Sequence, residues 1–110
     1  MKTKINEQII NDLYYMLLKK KNSSEEKSYT SFLLKNPDLL AKKIGEEASE
    51  LIIDFIKRNK EGVIKESSDL LYHLLVIWIF VDVKPEEIWN ELSSRKLMSG
   101  FQEKKKRSLK

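Results

Sequence analysis

The sequence predicts an all-α domain, and three observations carry that reading. Only three glycines and two prolines punctuate 110 residues, of which 35% are charged and 41% hydrophobic, a balance that favours long helices over sheets. Apolar residues recur at helical spacing along most of the chain. A chain of this length supports one compact core. The expectation is four to five helices forming one domain over residues 1–102.

Each element follows from local pattern. Ile5, Ile9, Ile10, Leu13, Leu17 and Leu18 predict an amphipathic first helix over 3–21, which the polar segment KNSSEEK ends. Ser28 or Thr30 can cap a short helix through Lys35, and Asn36 before Pro37 is steered out of helical geometry. From Asp38, the set Leu39, Leu40, Ile44, Leu51, Ile52, Phe55 and Ile56 marks a long helix ending near Asn59. The string NKEG then reads as a short link that sets the next helix antiparallel and adjacent. That helix is expected from about Val63 to Val81. Pro85 suits the first turn of a last helix, with Glu86 and Glu87 near its positive end and Arg95 and Lys96 near its negative end. Leu74 to Phe80 is apolar on every side, so a homodimer is expected to complete the bundle.

Inventory excludes several chemistries. No cysteine is present, which removes disulfides, thiolate zinc sites and cysteine nucleophiles and fits a reducing cytoplasm. The N-terminus lacks the apolar run of a secretory signal, and the run Leu70–Val81 is too short to cross a bilayer. Residues 103–110, EKKKRSLK, hold five Lys or Arg against one Glu and so carry the whole formal net charge of +4. Such a terminal run is expected to be a frayed, solvated tail more often than a nucleic-acid surface.

Chemistry concentrates between Lys43 and His73, where Glu46, Glu47 and Glu50 are followed by Glu66 and Asp69. At about 100° per residue, the first three share one face of their helix and the last two are neighbours on theirs. With the turn centred near residue 60, Glu50 lies ten residues before it and Asp69 nine after, so the hairpin is expected to bring those two level. Enclosed carboxylates raise one another's pKa and lose hydration unless a cation compensates. Hard oxygen ligands point to Mg²⁺, with Mn²⁺ possible, and magnesium recruits substrate phosphates. The competing reading is an ordinary solvated helix face.

The chain resembles phosphoribosyl-ATP pyrophosphatase of histidine biosynthesis, itself similar to the wider all-α nucleoside triphosphate pyrophosphatases of the MazG-like group. EExxE followed by ExxD marks the wider group and is matched by Glu46, Glu47, Glu50, Glu66 and Asp69. The narrower family adds SYT at Ser28 to Thr30, KxGEEAxE from Lys43 to Glu50 and DLLYHLLV from Asp69 to Val76. Ile44 replaces the usual valine, and ESSD stands where ExAD is common. The resemblance implies hydrolysis of phosphoribosyl-ATP between its α and β phosphates with Mg²⁺, giving phosphoribosyl-AMP and pyrophosphate. It also implies a homodimer. Many relatives are fused to a cyclohydrolase that performs the next step with zinc and cysteines; this chain has neither the length nor a cysteine for that domain, so a separate protein is expected there.

On this reading Glu46, Glu47, Glu50 and Asp69 are metal ligands, Glu66 is a further ligand or the base, and Glu47 and Glu66 are the candidate catalytic pair. Tyr29, Thr30, Lys43, His73 and Arg95 are candidate substrate-binding residues, with Lys96 beside them, each with a bland alternative as cap, core or helix-end charge. Trp78 and Trp89 read as packing residues. Two other functions compete: a MazG-like pyrophosphatase acting on noncanonical or ordinary deoxynucleotides, and a non-enzymatic helical module whose basic tail binds RNA or an acidic partner.

Overall fold

The computed structural model describes residues 5–24 and 28–96; the proposed tail over 103–110 lies outside them. Five helices follow in order: α1 (Ile9–Leu18), α2 (Tyr29–Leu34), α3 (Pro37–Ile56), α4 (Lys60–Phe80) and α5 (Pro85–Lys96). No strand occurs among the described residues. The all-α expectation therefore holds, with differences at three helix ends.

The first helix is shorter than expected. Residues 5–8 form turns and Ile5 is fully exposed, because the Asn6 side chain accepts from the Gln8 backbone N–H (2.9 Å) and starts a local turn instead. At the other end Lys20 N donates to Leu17 O, three residues back, and tightens the helix out of register. The buried stripe is Tyr14 and Leu17, and the Tyr14 hydroxyl donates to Val83 O (2.8 Å), fastening α1 to the α4–α5 turn.

Ser28 caps α2, its Oγ accepting from Ser31 N at 3.1 Å. Thr30 serves elsewhere: it is buried, and its Oγ1 meets the Tyr72 hydroxyl on α4 at 3.0 Å. Pro37 occupies the first turn of α3.

The α3–α4 turn is the main correction to the sequence reading. Lys60, Glu61 and Gly62 belong to the first turn of α4, because Asn59 caps it with a side-chain acceptor for Gly62 N (3.2 Å). The chain reverses at Arg58, which takes a left-handed φ of 57°. Asn59 N returns to Asp54 O (2.9 Å) and Arg58 N to Phe55 O (3.0 Å), the paired bonds of a Schellman ending. Asp82, at φ 60°, ends α4 in the same way, with Val83 N on Trp78 O (2.8 Å) and Asp82 N on Ile79 O (3.3 Å). For α5, Glu87 Oε2 accepts from Lys84 N (2.9 Å), the reciprocal arm of a capping box.

The core gathers Tyr14, Leu17, Leu33, Leu40, Leu75, Val76 and Ile79 where α1, α2 and α3 meet α4. Trp78 and Trp89 join α4 to α5 edge to face, ring centroids 6.4 Å apart. Much of the apolar stretch of α4 is thus covered within one chain. One uncovered apolar group lies at the opposite end of the hairpin, where Ile52, Ile53, Phe55, Ile56 and Ile64 are all at least half exposed.

Candidate active site

The corrected turn resets which carboxylates face each other. Counted from Arg58, Glu50 lies eight residues before and Glu66 eight after, so Glu50 meets Glu66 and not Asp69. The titration behaviour of the two reflects that meeting. Hydrogen bonding with Glu66 and its charge push the Glu50 carboxyl above the ordinary range, while hydrogen bonding with Glu50 and then Lys65 holds Glu66 below it.

Glu66 is the most enclosed of the acids, its side chain 7% exposed. Its Oε1 accepts from Lys65 Nζ (3.1 Å), and its Oε2 is buried without a hydrogen-bond partner. The same ammonium reaches Asp69 Oδ2 (3.1 Å), and these two acids hold the Lys65 amine well above the usual lysine range. Lys65 was not apparent from the sequence, since neighbouring residues on a helix ordinarily diverge. The only signal was its i,i+4 spacing to Asp69.

Glu47 projects from α3 onto His73. The His73 Nδ1 hydrogen-bonds the Asp69 carbonyl (2.9 Å) and lies 2.7 Å from Glu47 Oε1, which is buried without an aligned hydrogen bond. Both neighbours of Nδ1 are acceptors, so Nδ1 carries a proton, and Nε2 faces Tyr29. Tyr29 OH is 3.5 Å from that Nε2. The Tyr29 ring stacks over Tyr72 (6.2 Å, 10°) while remaining half exposed. Tyr29, Tyr72, His73 and Glu47 therefore form one continuous wall, with Thr30 holding Tyr72 from behind.

Glu46 and Lys43 sit at the margin, exposed and paired loosely at 4.0 Å. Arg95 Nε donates to Glu91 Oε2 (3.1 Å) on α5, an element that packs on α1. Among the described residues no three His, Asp or Glu side chains are drawn close enough to hold an ion as they stand. The donor chemistry nonetheless fits a hard cation: two buried carboxylate oxygens, Glu47 Oε1 and Glu66 Oε2, lack hydrogen bonds, and a lysine ammonium already bridges Glu66 and Asp69.

Comparison with known proteins decides the family. The model of the phosphoribosyl-ATP pyrophosphohydrolase family matches residues 10–96. The chain belongs to that family. Relatives named phosphoribosyl-ATP pyrophosphatase are 39% identical in Granulibacter bethesdensis, Paramagnetospirillum magneticum and Geotalea daltonii. The alignments cover 92%, 93% and 94% of this chain, and 64%, 94% and 98% of those proteins respectively. The family matched is one of hydrolases acting on phosphoanhydrides. All five acids of the paired motif, and the Tyr29–His73 wall, fall inside the matched span.

Proposed function

We propose that this chain is a phosphoribosyl-ATP pyrophosphatase, hydrolysing the α–β phosphoanhydride of its substrate to phosphoribosyl-AMP and pyrophosphate in histidine biosynthesis. The observation that carries the proposal is 39% identity to relatives of that name over nearly their full length in two cases. The geometry supports it: acids from α3 and α4 converge beside a half-exposed aromatic wall.

Glu46, Glu47, Glu50, Glu66 and Asp69 would hold Mg²⁺, which when bound neutralises phosphate charge and acidifies a coordinated water. The chain supplies the rest. Glu66, enclosed and held in its ionised form by its contacts with Glu50 and then Lys65, is placed to orient the attacking water. Glu47 is fixed by His73, which Tyr29 and the Asp69 carbonyl orient in turn. Tyr29 offers the nucleotide a ring face, and Lys43 lies within reach of phosphate at the margin.

A cytoplasmic homodimer is part of the same proposal, supported by the exposed apolar end of the hairpin and by the absence, among the described residues, of any helix long and apolar enough to cross a membrane. The test is pyrophosphate release by purified protein with Mg²⁺, offered phosphoribosyl-ATP and a panel of deoxynucleoside triphosphates. Strong preference for phosphoribosyl-ATP is expected. Comparable turnover of the panel would instead select nucleotide-pool cleaning, and salt-sensitive RNA binding without hydrolysis would select an interaction module.

A further inference from the structure

A lysine and the residue directly after it point about 100° apart on a helix, so Lys65 has no geometric reason to touch Glu66. Its side chain nevertheless wraps round α4 to place Nζ 3.1 Å from Glu66 Oε1 and 3.1 Å from Asp69 Oδ2. The side chain is 72% exposed, and nothing encloses it there. Lysine preceding an acid by four is also the weaker orientation of a helical ion pair. What draws the ammonium in is the unrelieved negative charge of the cleft, where Glu66 is nine-tenths buried with one oxygen unpartnered and Glu50 lies opposite.

We propose that Lys65 is an internal competitor for the metal: in the ion-free protein its ammonium bridges Glu66 and Asp69, and a divalent cation must displace it to engage those two carboxylates. The inference rests on the metal reading of the proposed function. It makes Lys65 a determinant of metal affinity, with two physical consequences. Repulsion among the acids is offset when magnesium is scarce, because a tethered cation lies between Glu66 and Asp69. The ammonium, once released, becomes available beside the cleft to the negative charge of a bound polyphosphate.

The experiment titrates Mn²⁺ calorimetrically into the full chain, Lys65→Met and Lys60→Met. The last removes the same charge from an exposed position one and a half turns earlier on α4, which separates contact from general electrostatics; circular dichroism checks that all three are folded. Lys65→Met is expected to bind on the order of threefold more tightly than wild type, the scale of an exposed ion pair, with Lys60→Met close to wild type. In parallel, acetylation of Lys65 read by mass spectrometry is expected to accelerate when saturating Mn²⁺ is added, other lysines serving as the reference. Wild-type binding with equal affinities for the two variants, or Lys65 labelling indifferent to Mn²⁺, overturns the inference while leaving the metal site standing. No Mn²⁺ binding by any of the three overturns both.

Discussion

Asp69 has a double role at the residue scale, its carboxylate paired with Lys65 and its carbonyl with His73. Asp69→Asn keeps the carbonyl and the helix but removes the charge, so Mg²⁺-dependent pyrophosphate release should fall at least a hundredfold, on the scale of a lost charge-stabilising group, with far-ultraviolet circular dichroism unchanged. The Glu50–Glu66 pair gives a pH signature. The raised Glu50 contributes stability below its ordinary value that is lost as pH rises through the raised one. The lowered Glu66 contributes stability above its ordinary value that is lost as pH falls through the lowered one. In chelator, denaturation midpoints should therefore peak between the two and decline at higher pH as the Glu50 proton leaves. Saturating Mg²⁺ should remove that decline. The acids themselves were legible in the sequence because their spacing alone fixes a shared helix face. Lys65 was not, since its position depends on a side chain bending against the helical geometry toward charge on another element.

At the scale of elements, what the sequence concealed was the turn. NKEG reads as a short link, yet Asn59 draws those residues into α4 through its cap, and Arg58 adopts the left-handed conformation usually left to glycine. Periodicity located both long helices because their apolar faces extend over many residues. A cap is decided by one hydrogen bond and leaves no such average. Moving the reversal from residue 60 to Arg58 re-paired Glu50 from Asp69 to Glu66, so a short positional error altered the chemistry inferred. The second left-handed ending is open to test: Asp82 is exposed at φ 60°, and Asp82→Gly should raise stability by up to about 1 kcal/mol in chemical denaturation, with activity preserved.

For the whole molecule, the core is concentrated where α1, α2 and α3 meet α4, while the α3–α4 turn end presents Ile52, Ile53, Phe55, Ile56 and Ile64 to solvent. Contiguous exposed apolar residues of this kind are what a subunit interface would cover. Sedimentation at micromolar concentration should give a dimer, and Ile53→Glu should shift it to monomer or lower its association by at least tenfold; a monomeric wild type would refute the arrangement. The sequence pointed to dimerisation from the all-round apolarity of Leu74–Phe80, but Leu75, Val76 and Ile79 are covered within the single chain. Phe80 of that run stays exposed, and a further exposed set lies at the α3–α4 turn end.

The edge-to-face tryptophan pair has an optical consequence. Trp78 and Trp89 are the only indoles in the chain, and both sit at the junction of α4 with α5. Intrinsic emission therefore watches one hinge of the molecule and is nearly blind to its acid-lined end. If the hairpin tip frays before α5 detaches, fluorescence will report an intact protein while a backbone probe already records loss, and the gap between the two curves measures how independently the two ends melt.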